Sequence, residues 1–329
     1  MFSLIKRAGV AAALVTATVA FTACSTTSSD DASSSADGET VTISTNLGDV
    51  TVPKNPTKVV VLDNTAAETV KAFGVTPVAI PKQLFSSDQL ADWADDGDIK
   101  DVGTHSEPKF DVIEDVEPDL IIGGYRFSKY SDELQKMADA SGGAFIDVAA
   151  SDDAEGGRVA QMSRQTEALG TVFGKEDQAE EIVADFQTKL DAAKSAATGQ
   201  TVFLANVNGG KIDNGAKRIS PLTEPLDVRD VFAGEAGDIH QNSGLTPEAI
   251  AQANPEWVIV MDRDAAVATA GETATPAKAV IDAQDAFANT TFKKSNQIIY
   301  LDPQFYVREG IQGYGESYQQ IAGAMGADK

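Results

Sequence analysis

The chain has 329 residues, of which 50 are acidic and 26 are lysine or arginine, and its formal net charge is -24 at pH 7. Such acidity argues against nucleic acid as a partner, because binding to a phosphate backbone depends on a basic surface. The chain has only two histidines, His105 and His240, and this excludes a zinc or manganese site built from several imidazoles.

The N-terminal segment has the pattern of a secretory signal. Lys6 and Arg7 precede the uncharged run 8–23, which is rich in alanine and valine. A basic start, an apolar stretch and small residues at its end are typical of a signal peptide. The run is too short and too weakly apolar for a membrane span, which needs about 20 strongly apolar residues. We therefore expect residues 1–23 to be a signal peptide.

Cys24 is the only cysteine of the chain, so it cannot form an internal disulfide bond. The residues 21–24 (FTAC) resemble a bacterial lipobox, in which the cysteine becomes the lipidated first residue; the alternative is an ordinary signal peptide with an incidental cysteine. Residues 24–38 are too polar to bury a core and predict a flexible tether. We expect palmitate at Cys24 and an extracytoplasmic protein anchored to the outer face of the cytoplasmic membrane.

Residues 39–157 alternate between short apolar strands and helices, which indicates an α/β lobe with a mainly parallel sheet. A continuous apolar run such as 58–62 is typical of a parallel strand that is buried on both faces. In chain order the pattern predicts a hairpin at 40–52, strands at 58–62, 77–80, 118–124 and 144–148, and helices at 64–73, 87–94, 110–116 and 131–140.

Residues 158–197 contain no proline and carry apolar residues at helical spacing, which predicts a long connecting helix, with an interruption at 170–174 left open. Residues 198–329 then predict a second α/β lobe. Its predicted strands are 201–205, 256–261 and 297–301, and its helices are 227–232, 247–253, 276–285 and 309–325. The expected fold is therefore two α/β lobes, each a mainly parallel sheet with flanking helices, joined by one long interlobe helix.

Arginines fall where a ligand site is expected. In open α/β sheets ligands bind beyond the carboxyl ends of the strands. Three of the seven arginines after the signal segment follow predicted strands, namely Arg126, Arg263 and Arg308. A guanidinium group holds carboxylate or catecholate oxygens and stacks on aromatic rings. The alternative is that exposed loops collect charge and that the aspartates flanking Arg263 neutralise it.

Aromatic residues accompany these arginines. Tyr125 and Tyr130 lie near Arg126, and Tyr306 lies two positions before the last of the three arginines. Phenolate oxygen is a hard donor that suits Fe(III), and imidazole also binds iron. His240 lies in a polar loop, where a solvated side chain is the more common case. The chain has no nucleophile elbow and no phosphate-binding loop, so we do not expect an enzyme.

Four segments resemble the ferric-siderophore-binding proteins of ABC importers, in particular the branch that binds enterobactin- and petrobactin-like catecholates. They are 52–63 (VPKNPTKVVVLD), 117–124 (EPDLIIGG), 254–263 (NPEWVIVMDR) and 299–302 (IYLD). That family has two lobes joined by one long rigid helix, and the ligand lies in a shallow cleft between them. The resemblance implies a ferric siderophore as the transported ligand and no permanently bound cofactor.

The resemblance also assigns roles to residues of this chain. Arg126 and Arg263 match basic residues that hold the anionic complex, and Arg218 takes the place of a third. His240 and Tyr306 fall within one position of residues that complete the coordination of iron in that branch.

Family members dock on a permease dimer through one acidic residue in each lobe. Glu68 matches the first of these residues, although an exposed helix charge is the simpler interpretation of its position. The second is Asp230, or else Glu224 or Asp227. The partners expected from the resemblance are thus the ABC permease dimer, a small iron complex and the membrane through the lipid anchor alone, for a protein that is itself a monomer.

Haem or cobalamin binding by the same fold is the alternative function. Haem needs an axial tyrosine or histidine, and His105 or His240 together with a tyrosine can supply it. The arginines at the strand ends favour a trianionic catecholate complex over a large and mostly apolar macrocycle.

Overall fold

The structure is a computed structural model that describes residues 38–152, 154–235, 243–268 and 274–326. The first lobe contains strands β1 (Thr40–Thr45), β2 (Gly48–Pro53), β3 (Val59–Val61), β4 (Ala79–Ile80), β5 (Lys100–Asp101), β6 (Leu120–Gly123) and β7 (Ala144–Asp147), and helices α1 (Ala67–Ala72), α2 (Ala91–Asp95), α3 (Phe110–Asp115) and α4 (Ser131–Ser141). Strands β1 and β2 form the predicted antiparallel hairpin. The other five form a parallel sheet in the order β5-β4-β3-β6-β7.

The central strands of this sheet are buried on both faces because helices cover each side. In β3, Val59 and Val61 belong to one apolar cluster, and Val60 belongs to another. This division follows from the strand geometry, in which successive side chains point to opposite faces. The apolar run that predicted β3 therefore reflects two separate cores, one on each side of the sheet.

Two helices join the lobes where the sequence predicted one. They are α5 (Gly157–Phe173) and α6 (Glu176–Ala196). The break lies at Gly174, whose φ of +60° is the left-handed conformation that ends a helix. Just before it, a Cβ at Gly170 would lie 2.6 Å from the Cβ of Ala179, so a glycine lets the two helices approach closely.

The second lobe is a parallel sheet with one antiparallel strand. Its strands are β8 (Thr198–Asn208), β9 (Lys211–Asn214), β10 (Asp227–Asp230), β11 (Trp257–Asp262) and β12 (Ile298–Tyr300), and its helices are α7 (Ala216–Thr223), α8 (Pro247–Ala253), α9 (Arg263–Val267), α10 (Ala277–Asp282), α11 (Thr291–Lys294) and α12 (Ile311–Gly326). The order is β10-β8-β11-β12, and β9 pairs antiparallel with β8. Helix α12 packs along α6, where the rings of Phe186 and Tyr318 lie 5.8 Å apart.

The prediction of a helix at 227–232 was wrong. The first four of these residues form the edge strand β10, which pairs in parallel with β8 from Val228 to Asp230. The pattern was too short to separate a strand from a helix, and pairing with β8 decides between them. Strands β5 and β9 and helices α7, α9 and α11 were not predicted.

The segment 302–312 of the second lobe packs into the first lobe. The Asn64 side-chain amide donates to the carbonyl of Val307 at 3.1 Å. A Cβ at Gly310 would lie 2.4 Å from the carbonyl oxygen of Thr65, so only glycine allows the two backbones to approach this closely. These contacts hold the two lobes together beside the helical connector.

Among the helices in the described ranges, none combines the length and the apolar composition of a membrane-spanning segment.

Candidate functional site

A cavity of about 890 Å³ lies between the lobes, and we call it the cleft. Most of its lining follows the carboxyl ends of β4, β5, β6, β11 and β12, as expected for an open α/β sheet, and the rest comes from the connector and α7. Its lining includes Leu84, His105, Tyr125 and Arg126 from the first lobe, Lys217, Arg218, Arg263, Val267 and Tyr306 from the second, and Asp152 and Arg158 from the start of the connector.

The end of β6 turns sharply to present Tyr125 and Arg126. Gly124 has φ of +100°, and a Cβ there would lie 2.2 Å from Oδ1 of Asp147. Tyr125 itself has φ of +48°, a strained conformation for a non-glycine residue that is often found at functional sites. A 3-10 helix, Tyr125–Tyr130, then carries the two side chains across the cleft.

Arg263 is the first residue of α9 and directly follows β11. Its Nη1 donates to Oδ1 of Asn208 at 2.9 Å. The flanking carboxylates bind backbone N–H groups instead: Asp262 accepts from Ala265 in α9 and from Ala277 in α10, and Asp264 accepts from the β8–β9 turn. This arrangement disfavours the alternative that these aspartates neutralise Arg263.

Two further arginines come from the connector and from α7. Arg158, in the first turn of α5, donates from Nε to Oδ1 of Asp152 at 2.6 Å. Arg218, in α7, donates from Nη1 to the hydroxyl of Tyr125 at 2.7 Å. The guanidinium carbon of Arg158 lies 4.9 Å from the centre of the Tyr125 ring. Thus Tyr125 is in contact with cations from two different parts of the chain.

Glu309 lies at the centre of these arginines and is only 1% exposed. Its Oε2 accepts from Nη2 of Arg126 at 2.9 Å and from the Tyr125 hydroxyl at 2.8 Å. Its Oε1 lies 3.5 Å from Nη1 of Arg218 and 3.9 Å from Nη1 of Arg158. Burial raises the pKa of Glu309, but the three guanidinium charges outweigh it and hold that pKa below its ordinary value.

The ring of Tyr306 makes cation–π contacts with three arginines. The guanidinium carbons of Arg126, Arg218 and Arg263 lie 4.9, 5.2 and 5.3 Å from the ring centre. Burial alone would raise the pKa of Tyr306. The charges of Arg126 and Arg218 lower it by more than burial raises it, so the pKa lies below its ordinary value. By contrast, burial and the charge of Glu309 raise the pKa of Tyr125 to about 12. Tyr306 is therefore more easily ionised than Tyr125.

The cleft is cationic although the chain is acidic. Among the residues that the structure describes, five cationic side chains line it, namely Arg126, Arg158, Arg218, Arg263 and Lys217. Two described carboxylates oppose them, Asp152 and the buried Glu309, so these seven groups carry an excess of three positive charges. In three of the arginines the buried Nε has no hydrogen-bond acceptor among the residues that the structure describes. The site therefore suits an anionic ligand.

The structure does not bring Arg308 to the cleft, which corrects the prediction that it contacts a ligand. Its side chain is 1% exposed and is surrounded by carboxylates. It donates to Glu68 at 2.7 and 2.9 Å, to Glu316 at 2.8 and 3.0 Å and to Asp302 at 3.2 Å. Since its donors are bound to these carboxylates, Arg308 joins the lobes instead. Glu68, the predicted docking residue, belongs to the same network.

The other predicted residues lie in different places. The Tyr130 hydroxyl donates to the carbonyl of His105 at 3.2 Å, so Tyr130 supports a loop that lines the cleft. Asp230 is half-buried at the end of β10, where it accepts from the backbone N–H of Phe232. His240 and Cys24 lie outside the described residues.

Sequence reasoning missed two residues of the cluster, Arg158 and Glu309. Neither follows a predicted strand directly, and a buried glutamate beside a predicted ligand arginine gives no signal in a single sequence. Their position depends on how segment 302–312 and helix α5 pack against the first lobe. Within the described ranges, no group of three or more histidine, cysteine, aspartate or glutamate side chains is arranged to hold a metal ion.

Comparisons with known proteins agree with this architecture. A family model described as periplasmic binding protein matches residues 59–305. Petrobactin-binding protein YclQ of Bacillus subtilis (strain 168) is 29% identical over 309 residues, which cover 91% of this chain and 91% of that protein. Ferric-anguibactin-binding protein FatB of Vibrio anguillarum is 24% identical, with 80% of each chain covered.

Solved structures are similar over the same region. The periplasmic catecholate-siderophore-binding protein VctP from Vibrio cholerae has a TM-score of 0.73 at 29% sequence identity, and the match covers 88% of this chain and 100% of that one. The crystal structure of YclQ has a TM-score of 0.72 at 26% identity, covering 87% and 99%.

Proposed function

Because this chain belongs to the periplasmic binding protein family, we propose that it captures a ferric siderophore, of the catecholate type, in the cleft and delivers it to an ABC importer. The observation that carries the proposal is the group of four arginines, drawn from both lobes and the connector, around the cleft of an otherwise acidic protein. The relatives and structural neighbours named above bind siderophores, which supports the same ligand class.

The charge and shape of the cleft match such a ligand. A ferric complex with three catecholates carries three negative charges and presents flat aromatic rings. Arginine forks donate to catecholate oxygens and stack on their rings. Leu84, Val267 and the ring of Tyr306 add apolar surface for the rings. The excess of three positive charges in the cleft offsets the charge of the complex.

Tyr306 is the proposed protein ligand of the transported iron, where the complex leaves a coordination position open. Its lowered pKa favours the phenolate form, which is a hard oxygen donor for Fe(III). His240 remains a prediction, since it lies outside the described residues. Iron is here the cargo of the protein and not a resident cofactor.

The lipid anchor at Cys24 and the docking residues complete the proposal. Glu68 and Asp230 lie in different lobes and are proposed to meet the two permease subunits. Since Glu68 binds Arg308, its docking requires that a permease cation replace Arg308. Asp230→Asn should lower iron uptake by cells, while the affinity for the complex in solution stays that of the wild type.

The test is fluorescence quenching of the purified protein by a panel of four ligands: a ferric tris-catecholate, an uncharged ferric tris-hydroxamate, haem and cobalamin. We expect the ferric tris-catecholate to bind most tightly, because it alone combines high negative charge with catechol rings. Tighter binding of haem, together with a Soret band from an axial ligand, would establish the haem alternative instead.

A further inference from the structure

Glu309 is a buried carboxylate inside a site that is proposed to bind an anion. It lies two residues before α12 and is 1% exposed. The backbone that follows it is tightly held, since a Cβ at Gly310 or at Gly313 would lie 2.4 Å or 2.0 Å from a backbone carbonyl oxygen. The carboxylate therefore has little freedom to leave the cluster.

The contacts of Glu309 come from three separate parts of the chain. Arg126 belongs to the first lobe, Arg158 to the connector and Arg218 to the second lobe. The neutral hydroxyl of Tyr125 bridges Arg218 and the carboxylate, because it accepts from Arg218 and donates to Glu309. Without Glu309, three largely buried guanidinium groups would repel one another across the lobe boundary, and their isolated burial would be costly.

We infer that Glu309 is the resident counter-ion of the cleft: it positions arginines from both lobes before the ligand arrives, and it limits how strongly the cleft prefers a more negative ligand. The second part rests on the proposed function. Because the carboxylate lies behind the arginines, it remains when a ligand enters, and it lowers the attraction for every negative charge that the ligand carries. The wild-type cleft therefore favours the more negative of two ligands of one shape less strongly than the same cleft without this carboxylate would.

The first test needs no ligand. Glu309→Gln keeps the shape of the side chain but removes its charge, and we expect the midpoint of thermal unfolding to fall by about 6–20 °C, the range for a broken buried ion pair in a protein of this size. Arg126→Gln in the same chain should recover part of this loss, because one uncompensated cation is removed as well. If Glu309→Gln does not fold, the double variant should restore folding.

The control is Glu316→Gln. Glu316 also lies in the C-terminal region and binds an arginine, but that arginine, Arg308, does not line the cleft. Arg126→Gln should therefore give no recovery in the Glu316→Gln background. Strictly additive losses for Glu309 and Arg126, or a double variant that stays unfolded, overturn the counter-ion role.

The second test measures the selection of ligand charge. The probes are the iron(III) and titanium(IV) complexes of one hexadentate tris-catechol chelator, which share a shape but carry three and two negative charges. In Glu309→Gln the affinity for the iron complex relative to the titanium complex should rise about 5- to 30-fold, as expected for one unit charge about 8 Å from another at an effective dielectric constant of about 20–40. Glu316→Gln should leave the ratio unchanged.

The charge selection and the proposed function fail in different ways in these tests. An unchanged ratio in Glu309→Gln overturns the charge selection, because a residue that only holds the fold changes both affinities by the same factor. Binding of neither complex to the wild type contradicts the proposed function, and the unfolding cycle then decides the counter-ion role by itself.

Discussion

Replacing Arg263 with alanine is the cleanest test of the cleft, because this arginine has the weakest role in the fold. Among the described contacts its guanidinium donates to Asn208 and lies 5.3 Å from the ring centre of Tyr306. Losing one hydrogen bond and one cation–π contact costs about 1–2 kcal/mol of unfolding free energy. Arg126, by contrast, binds the buried Glu309, and its removal disturbs the fold as well as the site.

The expected effect on binding is larger. A charge-assisted hydrogen bond to an anionic ligand contributes about 1.5–3 kcal/mol, so Arg263→Ala should weaken binding of a ferric tris-catecholate by about 10- to 150-fold. Quenching titrations give the dissociation constant, and urea unfolding of the same preparation gives the stability. The matched control is Arg229→Ala, since Arg229 is exposed on the edge strand β10. Equal affinities for the two variants would refute the placement of the ligand beside Arg263.

Three further predictions concern the surroundings of the cleft. Glu68→Gln should lower the unfolding free energy by about 1.5–3 kcal/mol, because the buried Arg308 loses a charged partner in the other lobe; equal stability in urea would contradict the interlobe role of this pair. Tyr306→Phe should remove the tyrosine that ionises at the lowest pH in an alkaline absorbance titration, and an unchanged first step would contradict the lowered pKa. Burial raises the pKa of Asp63 to about 7 in the folded protein, so the unfolding free energy should fall by up to about 4 kcal/mol from this group as pH rises from about 4 to 7. In Asp63→Asn that decline should disappear. A pH profile of stability identical to that of the wild type would contradict the raised pKa of Asp63.

The sequence predicted the architecture well where one physical cause dominates. Buried parallel strands such as β3 and β6 are continuous apolar runs, and their order with the helices determines an α/β lobe. The predicted fold class and family are confirmed by the family match over residues 59–305 and by the similar solved structures. The error at 227–232 arose because the edge strand β10 has only four residues, too few for its periodicity to be diagnostic.

The site was only partly predictable because its residues meet through tertiary packing. The rule that ligands bind beyond strand ends identified Arg126 and Arg263, which line the cleft, but it also selected Arg308, which does not. Whether an arginine at a strand end faces the cleft or a carboxylate depends on what packs against it. For the same reason the sequence did not indicate Glu309, whose partners lie far away along the chain.

The position of the bound iron decides whether the cleft is the ligand site. Crystals grown with a ferric tris-catecholate, measured at the iron absorption edge, would locate the metal by anomalous scattering. We expect one iron in the cleft, with catecholate oxygens in contact with Arg126, Arg218 or Arg263 and with the complex beside the ring of Tyr306. Iron bound outside the cleft, with these arginines still turned only to protein groups, would contradict it.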